Sequence, residues 1–254
     1  MSNKIGTTEP KAIKIWSTAV KKVMLGSTQI RPAWWQPWAN TLLYLPLKND
    51  ILDHSGNNRT ITNNGVTISW WLWVFDGSSY LDLGTENRTN FQKLTNWTIS
   101  IWAKRTVDPV SWYNSYFIWK AKMHPATPQN ILYWIWYGDD KNLVAGVFSW
   151  NSWSPTPVPY GSSINIAINT WYNIILVKAW TTKTIYMNGT QAATWTANDT
   201  TSTDNIPLTI GSATYYNSTS YITGNMSDVI IEDKARTATE ITDYYNLTKW
   251  NYWL

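Results

Sequence analysis

From residue 41 onward the chain runs in short stretches of alternating apolar and polar residues, separated by clusters of Asn, Asp, Gly, Ser and Thr. A period of two is what a half-buried β-strand requires. The clearest case is the segment 97–104. There Trp97, Ile99, Ile101 and Ala103 share one face, while Trp102 faces the other way among Thr98, Ser100 and Lys104. The same pattern predicts strands over 41–47, 131–137, 143–148, 172–178, 207–210 and 226–232. Residues 74–83 alternate throughout and read as one strand turning at Gly84. Pro46 cannot donate to a ladder, so the first of these strands is expected at an edge. Asn188-Gly189 between two apolar-alternating runs predicts a hairpin with a type I′ turn. Near the end, Thr237-Ala238-Thr239-Glu240 has the spacing of a capping box and opens a short helix, with Ile241, Tyr244 and Tyr245 on its buried side.

Strands spaced by turns with one late helix predict an all-β fold: a two-sheet antiparallel jelly-roll sandwich over residues 41–254. Residues 1–40 read as a separate unit. Two short strand-like runs, 12–20 and 22–30, each contain a repeated element: Trp16-Ser17-Thr18-Ala19-Val20-Lys21 aligns with Gly26-Ser27-Thr28-Gln29-Ile30-Arg31. Residues 32–40 form a Pro-containing linker. A hairpin this small is marginal alone, so it is expected to dock on a partner, on a larger assembly or on a second copy of the chain.

Composition changes the picture at one point. The chain has 20 Trp and 12 Gly, and a turn-rich sandwich needs glycine more than tryptophan. Many tryptophans sit in turn and linker contexts, as in Trp34-Trp35-Gln36-Pro37-Trp38 and Ser69-Trp70-Trp71-Leu72-Trp73. In the repeat, Trp16 aligns with Gly26. This predicts that most of them stand where the natural protein has glycine, as happens when a UGA codon that means glycine is translated as tryptophan. Trp97, Trp102 and Trp171 are the exceptions, placed where strands take an aromatic. The other positions should fall in turns, often with positive φ.

Charge narrows the partners. The net charge is +4 and the basic residues are scattered, whereas nucleic-acid binding wants clustered cations; no nucleic-acid partner is expected. No apolar run approaches the roughly 18 residues of a membrane helix, and no signal-peptide apolar region is visible in residues 1–26. There are no cysteines, hence no disulfide framework or thiolate metal site.

Several segments, in this order, resemble the laminin-G-like jelly-roll domains of the concanavalin A-like lectin/glucanase superfamily. They are Leu45-Pro46-Leu47 with Asp53-His54-Ser55-Gly56; Phe75-Asp76-Gly77-Ser78-Ser79-Tyr80; Thr98-Ile99-Ser100-Ile101-Trp102; Thr170-Trp171-Tyr172; Ile185-Tyr186-Met187-Asn188-Gly189; Leu208-Thr209-Ile210-Gly211; Gly224-Asn225-Met226-Ser227-Asp228-Val229; and Glu240-Ile241. The N-terminal repeat is similar to small β repeats that open some phage tail and virion proteins. The resemblance implies a structural calcium ion near the sandwich rim, for which Asp53, Asp76 and Asp228 occupy matching acidic positions, with hard oxygen donors suited to Ca²⁺. It also implies glycan binding through aromatic stacking, for which Tyr113, Tyr116, Tyr137, Tyr215, Tyr216 and Tyr221 are candidates.

Glycanases on this fold need two closely placed carboxylates, and the related enzymes carry a Glu-x-Asp-x-Glu triplet on one strand. This chain has glutamates at 9, 86, 232 and 240, none in such a triplet. His54 and His124 both sit in loop contexts without a triad motif. No catalytic residue is assigned. The expectation is a non-catalytic carbohydrate-binding or adhesion module on a virion or other extracellular surface assembly, held through residues 1–40, recognising a cell-surface glycan. A purely structural virion decoration domain is the alternative, and a glycan-cleaving enzyme the third.

Overall fold

The computed structural model describes residues 23–25, 28–30, 40–46, 50–70, 72–84, 95–108, 115–122, 130–137, 143–146, 164–196, 207–215 and 218–252. Two antiparallel sheets carry the fold. One has six strands in the order β11 (Leu143–Gly146), β10 (Asn130–Tyr137), β9 (Ser115–Lys122), β15 (Thr209–Ile210), β7 (Tyr80–Asp82) and β4 (Thr62–Asn64). The other has eight. Their order is β14 (Thr190–Thr196), β13 (Thr182–Met187), β12 (Tyr172–Ala179), β8 (Asn96–Arg105), β18 (Thr223–Glu232), β6 (Leu72–Asp76) and β5 (Thr67–Ser69), with β3 (Thr41–Leu45) also paired to β18. Two small hairpins pair β1 (Val23–Leu25) with β2 (Thr28–Ile30), and β16 (Ser212–Tyr215) with β17 (Ser218–Tyr221). The first lies inside the second predicted N-terminal run; the run 12–20 is outside the described residues. One helix, α1 (Ala238–Thr248), and a following 3₁₀ turn close the described chain. No helix among the described residues is long and apolar enough to cross a membrane.

Alternation decides which side chains enter the space between the sheets. On β8, Trp97, Ile99, Ile101 and Ala103 all belong to the central core, with Ile174 and Leu176 of β12 and Ile118, Ile135 and Ile210 from the six-stranded sheet. Each fully buried aliphatic side chain contributes about 1.5–3 kcal/mol. Trp102 points the opposite way, as its position in the alternation requires, into a second apolar cluster with Trp171, Ile175, Val177 and Tyr186.

The segment 74–83 differs from its sequence reading. It is two strands in two sheets. Gly77, at φ +89°, breaks the alternation. Asp76 then closes a tight turn, accepting hydrogen bonds on Oδ1 from Ser78 N, Ser78 Oγ and Ser79 N at 2.9 Å each. The chain thereby leaves the eight-stranded sheet at β6 and joins the six-stranded sheet at β7. Apolar alternation alone cannot reveal this, because both halves obey it.

β18 is the organising strand. Residues 223–226 pair with β6, and residues 229–232 pair with β3, so two short strands share one side of it end to end. At the junction Asp228, at φ 48°, opens a bulge against β8, and its N–H is taken by Pro46 O. Pro46 thus ends an edge strand, as expected. On the other side β8 approaches closely: a Cβ on Gly224 would lie 2.2 Å from Lys104 O and 2.9 Å from Arg105 Cα.

Helix α1 begins with the expected capping box, Glu240 N donating to Thr237 Oγ1 and Thr237 N to Glu240 Oε2. Ile241 and Tyr244 are buried against the outer face of the eight-stranded sheet, while Tyr245 is half-buried. Tyr252 stacks on Trp102 with centroids 4.0 Å apart, Trp102 Nε1 donates to Thr248 Oγ1, and the Tyr252 hydroxyl donates to Asp228 Oδ2 at 2.6 Å.

The tryptophans divide. Trp70 and Trp180 lie in turns at φ 51° and 54°. Trp97, Trp102 and Trp171 are buried, as their strand contexts predict. Other expected glycine positions do not fall in turns: Trp119, Trp134, Trp136 and Trp195 lie on strands without positive φ, and Trp73 is fully buried in the core. It follows Leu72 on β6 with the inward phase of Phe75, a phase the loop-like run Trp70-Trp71 conceals.

Candidate functional site

The two outer faces of the sandwich differ. The eight-stranded sheet is covered by α1 and the 3₁₀ turn over Trp102, Trp171 and Tyr186. Among the described residues no second helix covers the six-stranded sheet. On β7, Leu81 is in the core, so Tyr80 and Asp82 point outward. Tyr80 pairs with Asn64 and Asp82 with Thr62 across to β4, which ends the sheet. The Tyr221 ring, from β17, sits 6.0 Å from that of Tyr80 at 47°. Both tyrosines are half-buried, so each is fixed on one side and open on the other. Asp82 Oδ1 is anchored by Gly84 N at 2.6 Å. On its other side Asp82 pairs with Thr209, Thr209 with Trp119, and Trp119 with Trp134, one register row across the sheet.

Half-buried tyrosines present a flat apolar face with a polar tip. A carboxylate beside them accepts strong, charge-assisted hydrogen bonds. This pairing suits a ligand that is apolar on its faces and hydroxylated at its edges.

Of the predicted tyrosines, Tyr221 belongs to this cluster. Tyr113 and Tyr216 are outside the described residues, and of Tyr215 only its strand position opposite Ser218 is described. Tyr116 and Tyr137 are corrections: both are buried. Tyr137 follows Ile135 on the inward phase of β10, with its ring 5.6 Å from Phe117, Arg105 over its face and its hydroxyl donating to Val107 O. Burial pushes its hydroxyl pKa up, with Ser115 and Arg105 opposing. Neither ring offers a face to a ligand. Tyr80 and Asp82 escape sequence reasoning because a single strand over 74–83 would put them on the wrong sheet. Leu81 between them was the available signal.

The three predicted calcium ligands are not brought together, and no group of three or more His, Asp or Glu side chains among the described residues is arranged to hold a metal. Asp53 is knotted into its own loop, with Oδ1 accepting from Tyr44 N and Ser55 N, and Oδ2 from Ser55 Oγ and Arg59 N. Asp76 holds its turn, and the Ser78 amide and hydroxyl, with Ser79, lower its pKa to about 2. Asp228 is buried on Tyr252. Asp76 is level with Thr223, five residues along β18 from Asp228, a separation of about 16 Å on a strand. These residues do not fit one shared calcium ion.

The glutamates are structural where they are described. Glu232 forms a bidentate ion pair with Arg236 in the interior; burial pushes its carboxyl pKa up, against Arg236. Glu240 caps α1 and pairs with Lys234. His54 is exposed and paired with Asp50 at 3.0 Å. His124, Glu9 and Glu86 lie outside the described residues.

A family model described as the concanavalin A-like lectin/glucanases superfamily matches residues 75–242, about two thirds of the chain. Comparison with curated protein sequences yields no match. Among solved structures, a Trypanosoma rangeli sialidase in complex with sialic acid is similar at 13% identity with a TM-score of 0.64, over 91% of this chain and 36% of that one. The binding domain of botulinum neurotoxin DC in complex with SialylT aligns at 18% identity and 0.60, over 82% and 51%. Domain 4 of an extracellular arabinanase from Geobacillus stearothermophilus, in complex with arabinotriose, aligns at 16% and 0.57, over 80% and 97%. At these identities the likeness is one of fold. This chain spans about a third of the sialidase chains and half of the toxin chain.

Proposed function

Because the chain belongs to the concanavalin A-like lectin/glucanase superfamily, we propose that it is a non-catalytic module that binds a cell-surface glycan. The observation that carries this reading is the outer face of β7, over which no helix among the described residues lies: Tyr80 and Asp82 share it, and the Tyr221 ring of the β16–β17 hairpin stands against Tyr80. Sugar rings stack on such tyrosines and donate hydroxyls to such a carboxylate. The toxin binding domain and the arabinanase domain, both solved with sugars, favour the same use of the fold.

The sialidase likeness raises catalysis as the rival reading. A two-carboxylate glycanase is disfavoured among the described residues, where Glu232 and Glu240 are employed in an interior ion pair and a helix cap; the sialidase likeness is one of fold, over 36% of that chain. Residues 1–40 serve as the attachment segment to a virion or other surface assembly; the repeat and the separate β1–β2 hairpin support this. The proposed binding is not built on calcium: Asp53, Asp76 and Asp228 are not brought together among the described residues. Tryptophan abundance is not counted towards sugar binding, because the two most exposed of the described tryptophans, Trp70 and Trp180, lie in turns at positive φ.

A glycan array with the full chain tests the reading. Retention of a defined set of glycans, with no release of product from them on prolonged incubation, is expected. Uniformly blank arrays would favour the structural decoration role, and product release would favour the enzyme.

A further inference from the structure

The eight-stranded sheet contains three two-residue hairpin loops. They join Ser69 to Leu72, Ala179 to Thr182 and Met187 to Thr190. The first loop residue has φ 51°, 54° and 50° in turn: Trp70, Trp180 and Asn188. The third loop is Asn188-Gly189, with both residues at positive φ, the sequence a type I′ turn asks for. In the second, Trp180 has positive φ and Thr181 does not, the sign pattern of a type II′ turn, whose first position belongs to glycine.

In this region a Cβ crowds the following carbonyl oxygen, and aromatic residues adopt it rarely. A packed indole could offset that strain. Neither does: Trp70 is 90% exposed and Trp180 70%. Trp73, Trp97, Trp102 and Trp171 are the opposite population, buried and without positive φ. The backbone therefore separates these six tryptophans into four that fill the fold and two that oppose it; Trp119, Trp134, Trp136 and Trp195, on strands, and Trp250, in the 3₁₀ turn, have no positive φ and are not assigned.

The geometry points to glycine as the natural residue at positions 70 and 180, and to tryptophan as the natural residue at 73, 97, 102 and 171. One codon assignment accounts for both sets: UGA decoded as glycine at 70 and 180, and UGG as tryptophan at the four buried sites. Cysteine, another meaning of a reassigned UGA, keeps the Cβ and would not relieve the turns. The consequence for binding is direct. Trp70 and Trp180 are the two most exposed of the large apolar side chains described and would otherwise be the obvious sugar platforms; glycine there removes them from any ligand site.

The test compares thermal melts of the full chain, the Trp70→Gly/Trp180→Gly double variant and Trp73→Gly. The double variant is expected to melt higher, by on the order of 5 °C, and Trp73→Gly to melt well below the parent. An unchanged or lower melting temperature in the double variant overturns the assignment, as do UGG codons at 70 and 180 in the gene. Glycan retention by the double variant should equal the parent's; lost retention would overturn the removal of these positions from the ligand site. A chain that retains no glycan at all would defeat the proposed function while leaving the melting comparison intact.

Discussion

Asp76 shows how one residue can redirect a chain. The amide and hydroxyl of Ser78, and Ser79, hold its carboxylate ionised down to about pH 2. Its pKa in the folded state lies below the ordinary 3.8, so the folded state binds fewer protons than the unfolded chain between these values. The stability it provides is present above the ordinary value and is lost as pH falls through about 2. Melts of Asp76→Ala and the parent should therefore differ at pH 5 and converge towards pH 2; a difference that ignores pH would refute this role. Gly224 acts by absence. A methyl group there meets the β8 backbone at 2.2 Å, so Gly224→Ala should cost on the order of 3 kcal/mol in denaturant titration. At this scale the sequence was readable where phase alone decides, as for Ile99, Ile101 and Trp102. It was misleading where burial depends on which sheet a strand joins, which is why Tyr116 and Tyr137 looked available and Tyr80 did not.

Among the elements, α1 is the one most fully legible beforehand. A capping box and two inward residues are local features, and local features survive folding unchanged. Thr237→Ala should cost about 1 kcal/mol of stability. Trp102→Ala removes the plate on which Tyr252 stacks and should cost roughly 3–5 kcal/mol. The preceding turn is pinned by Glu232 and Arg236. Removing Arg236 leaves the Glu232 carboxylate buried without that cation, so Arg236→Ala should lose roughly 3–5 kcal/mol at neutral pH. Because burial already raises the Glu232 pKa, acidification through the glutamate range should restore part of that loss, as denaturant titrations across pH would record. The crossing between β6 and β7, the bulge at Asp228 and the short β4, β5, β16 and β17 were not legible. Each is set by long-range pairing, and none carries a distinctive local pattern.

For the whole molecule, the central fact is asymmetry. One outer face is sealed by a helix that buries Trp102, Trp171 and Tyr186; the other carries Tyr80 and Asp82 outward, with Tyr221 of the β16–β17 hairpin against Tyr80, and no covering helix among the described residues. The two-sheet sandwich with its late helix was readable from period-2 segments and their order, since these report fold class. Which face is open was not, because strand order across a sheet leaves no trace in alternation. Glycan binding is expected on that face. Backbone amide chemical shifts recorded while titrating a glycan retained on the array test it most directly, with the Tyr80→Ala/Tyr221→Ala variant alongside. The shifts should move on β4, β7 and β17 and leave α1 unmoved, and the variant should bind at least ten-fold more weakly, about 1.4 kcal/mol. Shifts centred on α1 and β12–β14, with affinity unchanged in the variant, would contradict it.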